Sequence, residues 1–250
     1  FKVSPQLPGW VIPQSVPKPL SSKLPGETND VVFLLADRQT RFTTGQKERF
    51  RHFASQVLSL DGIQDQSQIK IAFEPTVQTL QIHYVRVIRA GEVRNALIEN
   101  QVRIVQQEED LDLLLYNGKL QAILFLNDIR IGDIIEYAYT VSGSNPALRG
   151  HFSASFALGF SVSVQKIYTS LVWPEGKQLF IKNHGIEMQP SVKRLSNVVR
   201  YEWMRDNVKA IDVDDSLPSW YAPKPWIQLS DFADWHRYAQ WESTLFRPKK

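Results

Sequence analysis

Histidine is the residue type in this chain best suited to acid–base or metal chemistry, but the spacing of the histidines favours neither. The five are far apart, and none belongs to the His-x-x-x-His pair that anchors a metal on one helix face: His52, His83, His151, His184 and His236. His83 and Tyr84 are neighbours in a candidate strand, but no carboxylate lies at a spacing that indicates general acid–base catalysis. The sequence therefore predicts no catalytic residue, no metal ligand and no cofactor-binding residue.

Other sequence signals of chemistry are absent or weak. The chain has no cysteine, which excludes disulfides, thiolate metal sites and a cysteine nucleophile within these 250 residues. It contains neither a Gly-x-Ser-x-Gly nucleophile elbow nor a glycine-rich phosphate loop. Acidic clusters at residues 108–112 and 212–215 offer the oxygen ligands that calcium prefers but lack the glycine of a calcium-binding loop. Solvated turn charges are the favoured interpretation of both clusters.

The charge balance gives little indication of an anionic macromolecular partner. The formal net charge is +3, and Arg247, Lys249 and Lys250 account for it. The other Lys and Arg residues are scattered among Asp and Glu, without the basic, aromatic-interleaved stripe that is typical of nucleic-acid binding. The longest apolar runs, such as residues 31–36, are far shorter than the roughly 20 residues that cross a bilayer. We therefore expect neither nucleic-acid binding nor a membrane-spanning segment.

The elements that must position any site are mainly strands. Alternation of apolar and polar residues predicts strands over 68–73, from 80 onwards, over 134–141 and over 198–204, and one or two strands within 152–173. Asn117-Gly118 predicts a two-residue hairpin between apolar runs. For residues 46–60 helical spacing competes with strand, and we favour a strand at a sheet edge. The predicted fold is mainly β: a large antiparallel β-sandwich-like domain with a short C-terminal helix.

Proline marks a separate N-terminal segment. Six of the fourteen prolines lie in residues 1–30, which disfavours helix and favours an extended arm. Trp10-Val11-Ile12 is the apolar point through which this arm would dock, although a disordered tail explains the composition nearly as well. The predicted organisation is an arm at 1–30, a β-sandwich-type accessory domain at 31–215, and an aromatic strap and helix at 216–250 that leads towards a further domain.

Aromatic residues are concentrated between residues 203 and 241. Ser230 is the predicted N-cap of the last helix, with Asp231 and Asp234 in its first turn. Flat rings could stack on sugars, or they could form a domain interface, where Trp and Tyr are enriched. Their position on a proline-rich strap and a terminal helix favours the interface. We predict that five residues dock a partner domain: Trp220, Trp226, Phe232, Trp235 and Trp241.

A run near the middle of the chain has a recognisable pattern: Gly132-Asp133-Ile134-Ile135-Glu136-Tyr137-Ala138-Tyr139. Asn145-Pro146 with Gly150, and Phe73-Glu74-Pro75 with residues 78–83, accompany it. Together these motifs resemble a bacterial domain of unknown function that is found N-terminal to transglutaminase-like domains in cell-envelope proteins. The resemblance extends over about residues 33–241, and Trp220 with residues 230–241 is similar to the junction with the following domain.

The resemblance implies a largely β fold and a scaffolding or recognition role beside a papain-like Cys-His-Asp module. That module would lie beyond Lys250, so its catalytic residues have no counterpart here and we expect this chain not to be an enzyme. The implied partner is a downstream transglutaminase-like domain of the same polypeptide, and the implied location is the bacterial cell envelope, periplasmic or otherwise extracytoplasmic. The alternative function is binding of a glycan or cell-wall polymer by the same rings, and the candidate ligands are a glycan or a peptide. A hydrolase assembled from His83 or His151 and distant carboxylates is the third.

Overall fold

The protein is mainly β with a short C-terminal helix, as the sequence predicts. The computed structural model describes residues 1–21, 29–43, 45–106, 118–213 and 221–245. Within these ranges the chain forms fifteen strands and two α-helices: β1 (Lys2–Val3), β2 (Val31–Thr43), β3 (Gln46–Val57), α1 (Leu60–Gln66), β4 (Gln68–Phe73), β5 (Thr79–Arg89), β6 (Glu92–Asn95), β7 (Arg103–Gln106), β8 (Leu120–Phe125), β9 (Ile134–Ser142), β10 (Ser153–Ala157), β11 (Val164–Pro174), β12 (Phe180–His184), β13 (Ser191–Leu195), β14 (Val198–Val208), β15 (Trp226–Ser230) and α2 (Trp235–Ser243).

The strands of the described ranges form three sheets. The central sheet has nine strands in the order β1-β5-β9-β3-β2-β11-β14-β13, with β6 paired to β5. It is mixed, because β1 runs parallel to β5 and β2 runs parallel to β11, whereas its other pairs are antiparallel. Two antiparallel sheets of three strands each complete the fold: β4-β8-β7, here the first side sheet, and β10-β15-β12, here the second side sheet.

Both side sheets cover the same face of the central sheet, here called the inner face. Phe53 of β3 lies opposite Tyr137 of β9 and opposite Ala36 of β2, and Ala36 lies opposite Ile167 of β11. Directly opposed residues point to one face, so this row follows the inner face across the sheet. Tyr137 packs on the core beside the first side sheet, and Ile167 belongs to the core beside the second.

Each side sheet buries apolar side chains against one end of the inner face. The first contributes Ile71 and Leu124 to a core shared with β5 and β9. The second contributes Phe156 and Ile227 to a core that contains Trp203 of β14. Full burial of one such side chain contributes about 1.5–3 kcal/mol, so these contacts hold the side sheets at opposite ends of the central sheet. The middle strands of the inner face, β3 and β2, lie between the two ends.

The N-terminal arm lies on the opposite face of the central sheet, here called the arm face. The side chain of Gln39 accepts a hydrogen bond from Ile12 N (2.9 Å) and donates one to Ile12 O (2.7 Å). Gln56 makes the same pair of contacts with Leu20, at 2.8 Å and 3.0 Å. Val11 is buried on this face. The predicted docking of the arm through Trp10-Val11-Ile12 is confirmed.

Replacing Gln56 by alanine is expected to loosen the arm at Leu20 while leaving the sheet intact. The substitution removes two hydrogen bonds to the backbone, each of which contributes about 1 kcal/mol. The amide of Leu20 should therefore exchange its hydrogen about fivefold to thirtyfold faster. Site-resolved hydrogen exchange measures this, with Gln64→Ala on the exposed side of α1 as the control. An unchanged exchange rate at Leu20 would contradict the role of the Gln56 side chain in holding the arm.

Several predicted strands are confirmed, and the segment at 46–60 has a different position in the sheet from the predicted one. The alternation at 68–73 is β4, and the strands predicted from 80, at 134–141 and at 198–204 are β5, β9 and β14. Residues 152–173 form two strands, β10 and β11. The predicted hairpin turn includes Asn117, which lies outside the described residues. Neither helix of the described ranges has the length and apolar content that a bilayer crossing requires.

The segment at 46–60 is a strand, but it is not at an edge. β3 pairs with β2 on one side and with β9 on the other, which makes it an interior strand. The strand ends at Val57, and α1 begins at Leu60, where the Ser59 hydroxyl caps it by accepting from Gly62 N at 3.1 Å. The edge prediction is wrong because the charged side chains of β3 lie in the interior of the sheet, which their residue types do not indicate.

Candidate functional site

The C-terminal helix begins later than the sequence indicates. Ser230, the predicted N-cap, is the last residue of β15 and pairs with Ser153 of β10 and Phe180 of β12. Asp234 caps α2, since its side chain accepts a hydrogen bond from Arg237 N at 2.8 Å. The prediction is wrong because Ser and Asp are both good N-caps, so the local sequence does not distinguish Ser230 from Asp234. Ser230 belongs to a strand because it pairs with β10 and β12, which are distant in sequence.

Five ring-bearing residues lie on α2 or where it contacts the body, and we call them the terminal aromatic cluster: His151, Phe232, Trp235, Tyr238 and Trp241. Ring centroids of Phe232 lie 5.2 Å from Trp241 and 5.5 Å from Tyr238. His151 stacks on Phe232 at 4.3 Å and meets the edge of Trp241 at 5.2 Å. Trp235 contacts Tyr238 at 5.7 Å. Aromatic pairs at such separations contribute about 0.5–1.5 kcal/mol each beyond burial, so the cluster fixes the helix on the surface.

Three of the predicted docking residues meet in this cluster: Phe232, Trp235 and Trp241. Trp226 lies elsewhere, stacked on His184 at 3.9 Å with the two ring planes 2° apart. It is at the opposite end of β15 from Ser230, about 14 Å along the strand. Trp220 lies outside the described residues. The structure therefore places Trp226 and the cluster on separate parts of the surface.

The surface of α2 is open to solvent. None of its residues is buried, and the Trp235 side chain is 78% exposed. Trp241 is half-buried, and its indole Nε1 is shielded from solvent without a hydrogen-bond partner among the described residues. Trp235 therefore presents an aromatic ring to solvent, whereas the unsatisfied donor of Trp241 lies beneath the surface.

Asp231 connects the terminal aromatic cluster to the second side sheet. Its carboxylate accepts from Phe152 N at 3.1 Å, pairs with Lys177 Nζ at 2.9 Å, and lies 3.4 Å from His151 Nδ1. Charge-assisted bonds of this kind are stronger than neutral ones, which fixes the start of the loop that leads to α2. His151 is the histidine that combines partial exposure with a carboxylate neighbour, so acid–base chemistry by this chain would begin here.

Two other histidines satisfy hydrogen bonds within the sheet. His83 is 2% exposed, with Nδ1 2.9 Å from Ser4 O and Nε2 2.8 Å from Thr140 Oγ1. His52 is also buried, and its Nε2 lies 2.9 Å from Glu136 Oε1. Both lie on the arm face, away from the terminal aromatic cluster. The structure thus does not bring His83 and His151 into one site.

Glu136, in the motif that carries the family resemblance, stays ionised despite its burial. Burial raises the pKa of its carboxyl, but the hydrogen bond and charge of His52, the charge of Arg86 and the hydroxyl of Tyr84 together hold that pKa below its ordinary value. Burial also raises the pKa of the Tyr84 hydroxyl, and the charge of Glu136 adds to the increase. The motif therefore builds a structural polar network beneath the arm.

The acidic clusters provide no metal site among the residues that the structure describes. Residues 108–112 lie outside the described ranges, as do Asp214 and Asp215. Across the ranges described, no group of three or more His, Cys, Asp or Glu side chains has an arrangement that could hold a metal ion.

Sequence reasoning missed a group of cations, which we call the basic strip: Arg38, Lys47, Arg49 and Arg51. Arg38 lies opposite Arg51 on β2 and β3, and Lys47, Arg49 and Arg51 occupy alternate positions of β3. All four therefore lie on the inner face. The period-two spacing of these cations is the sequence signal that would have found them, once the segment is read as an interior strand.

Comparisons with known proteins identify the domain. Residues 43–212 match a family described as a domain of unknown function with a solved structure, DUF3857. No curated protein matches the chain. A crystal structure of a “putative protease” from Parabacteroides distasonis is similar, with a TM-score of 0.72 and 15% identity over 82% of this chain and 41% of that one. Legionella pneumophila aminopeptidase A in complex with aspartic acid aligns with a TM-score of 0.40 and 13% identity, over 82% and 22% of the two chains.

The first likeness shows a shared fold, and the second is too weak to carry an argument. The chain spans 41% of the Parabacteroides distasonis protein, so it corresponds to part of that longer chain. The family match covers residues 43–212 of 250, well over half of the chain, and it includes the Gly-Asp-Ile-Ile-Glu-Tyr motif. This protein belongs to the DUF3857 family.

Proposed function

We propose that the chain is a non-catalytic accessory domain that packs against and positions a downstream transglutaminase-like, papain-like cysteine domain of the same polypeptide. The domain acts in the bacterial cell envelope, on the periplasmic or extracytoplasmic side. Its docking surface is the terminal aromatic cluster on α2. The observation that carries the proposal is the 78% exposure of Trp235 on a helix that buries none of its own residues.

The physical argument rests on what a helix of this kind requires. A short helix that is not packed on a core is marginal in water, because nucleation is costly and tertiary contacts supply most helix stability. Here contacts reach the body through Tyr238 and Trp241, while Trp235 faces solvent. Covering Trp235 with a partner buries a large aromatic surface.

The relation to a longer protein supports the proposal. The Parabacteroides distasonis protein, which is named a “putative protease”, has the same fold over 41% of its length, and the larger part of that protein lies outside the shared fold. The terminal aromatic cluster includes residues 232–241, which follow the family match at 43–212. The proposed docking surface therefore lies in the part of the described chain nearest in sequence to the proposed downstream domain.

Replacing Trp235 by alanine is expected to weaken association with the downstream domain at least about tenfold, which corresponds to about 1.4 kcal/mol. Isothermal titration calorimetry between the two separately purified domains measures this. Trp235 makes few contacts within the chain, so the Tm of the isolated domain should change little. Val93→Ala, another exposed apolar position on the remote strand β6, is the matched control and should bind normally.

Two outcomes would count against docking. One is the absence of binding between the wild-type domains, together with no gain in Tm when they are joined. The other is saturable binding of a cell-wall glycan that is lost in Trp235→Ala, which would support the glycan-binding alternative through the same exposed ring. A glycan array and a peptidoglycan pull-down, run on wild type and on both variants, distinguish the two functions.

A further inference from the structure

The basic strip crosses the middle of the inner face. Arg51 lies opposite Arg38 on one neighbouring strand and opposite Tyr139 on the other. Lys47 and Arg49 continue the row along β3 towards the end of β9. Four cations therefore occupy the part of the inner face that lies between the two apolar cores.

No carboxylate forms an ion pair with these cations in the part of the chain that the structure describes. Asp231 is engaged by Lys177, and Glu48 pairs with Arg41 on the arm face. The hydrogen bonds of the strip go to neutral oxygens: Gln39 O (3.3 Å) and Phe50 O (2.9 Å) from Arg51, Gln78 Oε1 (3.4 Å) from Arg49, and Ser153 O (3.1 Å) from Lys47. The positive charge is thus solvated by dipoles but not neutralised.

The electrostatics show that this arrangement is costly. Burial, together with the charges of Arg49 and Arg51, lowers the pKa of the Lys47 ammonium to about 8. Burial lowers the pKa of Arg51 to about 10, with Arg38 and Arg49 acting in the same direction, although Tyr139 and Asp37 oppose them. The pKa values of Arg38 and Arg49 are lowered chiefly by burial as well. A bound anion would offset both the lost hydration and the repulsion.

Buried hydroxyls without partners lie beside the strip. Thr40 is opposite Arg49 and Thr169 is opposite Arg38, so both share the inner face. Their side chains are fully buried, at 1% and 0% exposure, and neither hydroxyl has a hydrogen-bond partner among the described residues. Neither threonine lines the cavity at the Lys47–Arg49 end of the strip, so these two hydroxyls are not candidate ligands of that cavity.

A cavity of about 120 Å³ opens at the Lys47–Arg49 end of the strip. The polar residues of its lining are Lys47, Arg49, Gln78, Ser144, Asn145, His151 and Ser153. The Ser144 hydroxyl is shielded from solvent and has no partner among the described residues. The lining thus places two cations that lack an ion-pair partner in the described ranges, a partly exposed histidine and a hydroxyl that lacks a hydrogen-bond partner there around one small cavity.

We propose that this cavity binds the oxyanion group, carboxylate or phosphate, of a small ligand. Lys47 and Arg49 are its cationic partners. A rotation about χ1 of Ser144 turns its shielded hydroxyl towards the ligand as a further donor. Arg presents a planar fork of N–H donors that suits two oxygens of one anion, and Lys adds a point charge. The site is distinct from the terminal aromatic cluster, although His151 borders both, and it does not depend on the docking function.

Titration with three probes tests the site: sodium phosphate, citrate and acetate, each near neutral pH and at an ionic strength held constant with sodium chloride. Phosphate or citrate should bind with a saturable heat and raise the Tm by about 5–10 °C at concentrations about 100-fold above its Kd. Tighter binding of citrate than of phosphate would identify the oxyanion group of the ligand as a carboxylate, and the reverse order would identify it as a phosphate. Acetate, with one charge, should bind most weakly.

Substitutions at the cavity identify the partners. Arg49→Met and Lys47→Met should each weaken anion binding at least tenfold, because each removes one charged partner. Without anion, both variants should be as stable as wild type or more stable, since repulsion within the strip is relieved. Ser144→Ala should weaken binding with little change in Tm. Lys70→Met, at an exposed position of β4, is the control and should bind like wild type.

The proposal fails if none of the three anions raises the Tm beyond the effect of sodium chloride. It also fails if Arg49→Met, Lys47→Met and Ser144→Ala all retain the wild-type affinity. If one of the two cation variants does not fold, the other variant and Ser144→Ala decide the result.

Discussion

Replacing Asp37 by asparagine is expected to make the protein more stable in mildly alkaline solution and to change its stability little in acid. Asp37 is completely buried on β2 beneath the arm, with Gln39 Nε2 3.1 Å and 3.0 Å from its two oxygens. Burial raises the pKa of its carboxyl from 3.8 to about 7, although the Gln39 hydrogen bond and the charges of Arg51 and Lys166 act against the increase. Folding therefore disfavours the ionised form of the Asp37 carboxyl.

The pH dependence follows from the direction of this shift. Between pH 3.8 and about pH 7 the folded protein keeps a proton that the unfolded chain has lost. The stability from this group is therefore complete below the unfolded pKa and is lost as the pH rises through the folded pKa. Between about pH 5 and about pH 8 the loss is about 3 kcal/mol, at about 1.4 kcal/mol per pKa unit. Asparagine does not ionise and does not show this loss.

Urea unfolding of both proteins at about pH 5 and about pH 8 measures the difference. The stability of Asp37→Asn relative to wild type should increase by about 3 kcal/mol across this interval. Asp128→Asn is the control, because Asp128 is exposed and the hydrogen bonds of Arg130 and Arg89 lower its pKa. That variant should lose stability by the same amount at both pH values. A pH-independent difference for Asp37→Asn would mean that the buried carboxylate does not titrate in this range.

The sequence predicted those strands in which one side is apolar and the other polar. β4 has Ile69, Ile71 and Phe73 buried on one side and exposed residues between them. Such a strand can be recognised without knowing its neighbours, because the period of two follows from the pleat. The same reasoning found β9 and β14, whose apolar rows face the inner cores.

The candidate sites depend on contacts that no local pattern contains. The charged row on β3 resembles a solvated surface until β2 and β9 are known to lie on either side of it. Gln39 and Gln56 have ordinary exposed residue types, yet their side chains clamp the arm. The N-cap of α2 is Asp234 and not the predicted Ser230, because β10 and β12, which are distant in sequence, hold Ser230 in a strand.

Replacing Gly143 by alanine is expected to destabilise the protein by about 3 kcal/mol or more, which lowers the Tm by roughly 6–12 °C. Gly143 has φ +129°, a conformation that side chains other than glycine rarely adopt. An alanine Cβ would lie 2.0 Å from Val77 O and 3.0 Å from Gln78 Cα. Both neighbours belong to the backbone between β4 and β5, so no flexible side chain can move away to make room.

The matched control is Gly176→Ala, which separates conformational strain from collision. Gly176 has φ +78° in the turn between β11 and β12, and a Cβ there would meet no atom within 4 Å. Its substitution should cost only the strain, about 1–2 kcal/mol. Thermal unfolding of both variants measures the difference, and equal losses would show that the approach of Gly143 to Val77 contributes nothing.

Because Gln78 and Ser144 both line the cavity beside Lys47, the close approach of Gly143 to Val77 also sets the width of the proposed anion site. Gly143→Ala should therefore reduce anion binding as well as stability, whereas Gly176→Ala should leave binding unchanged.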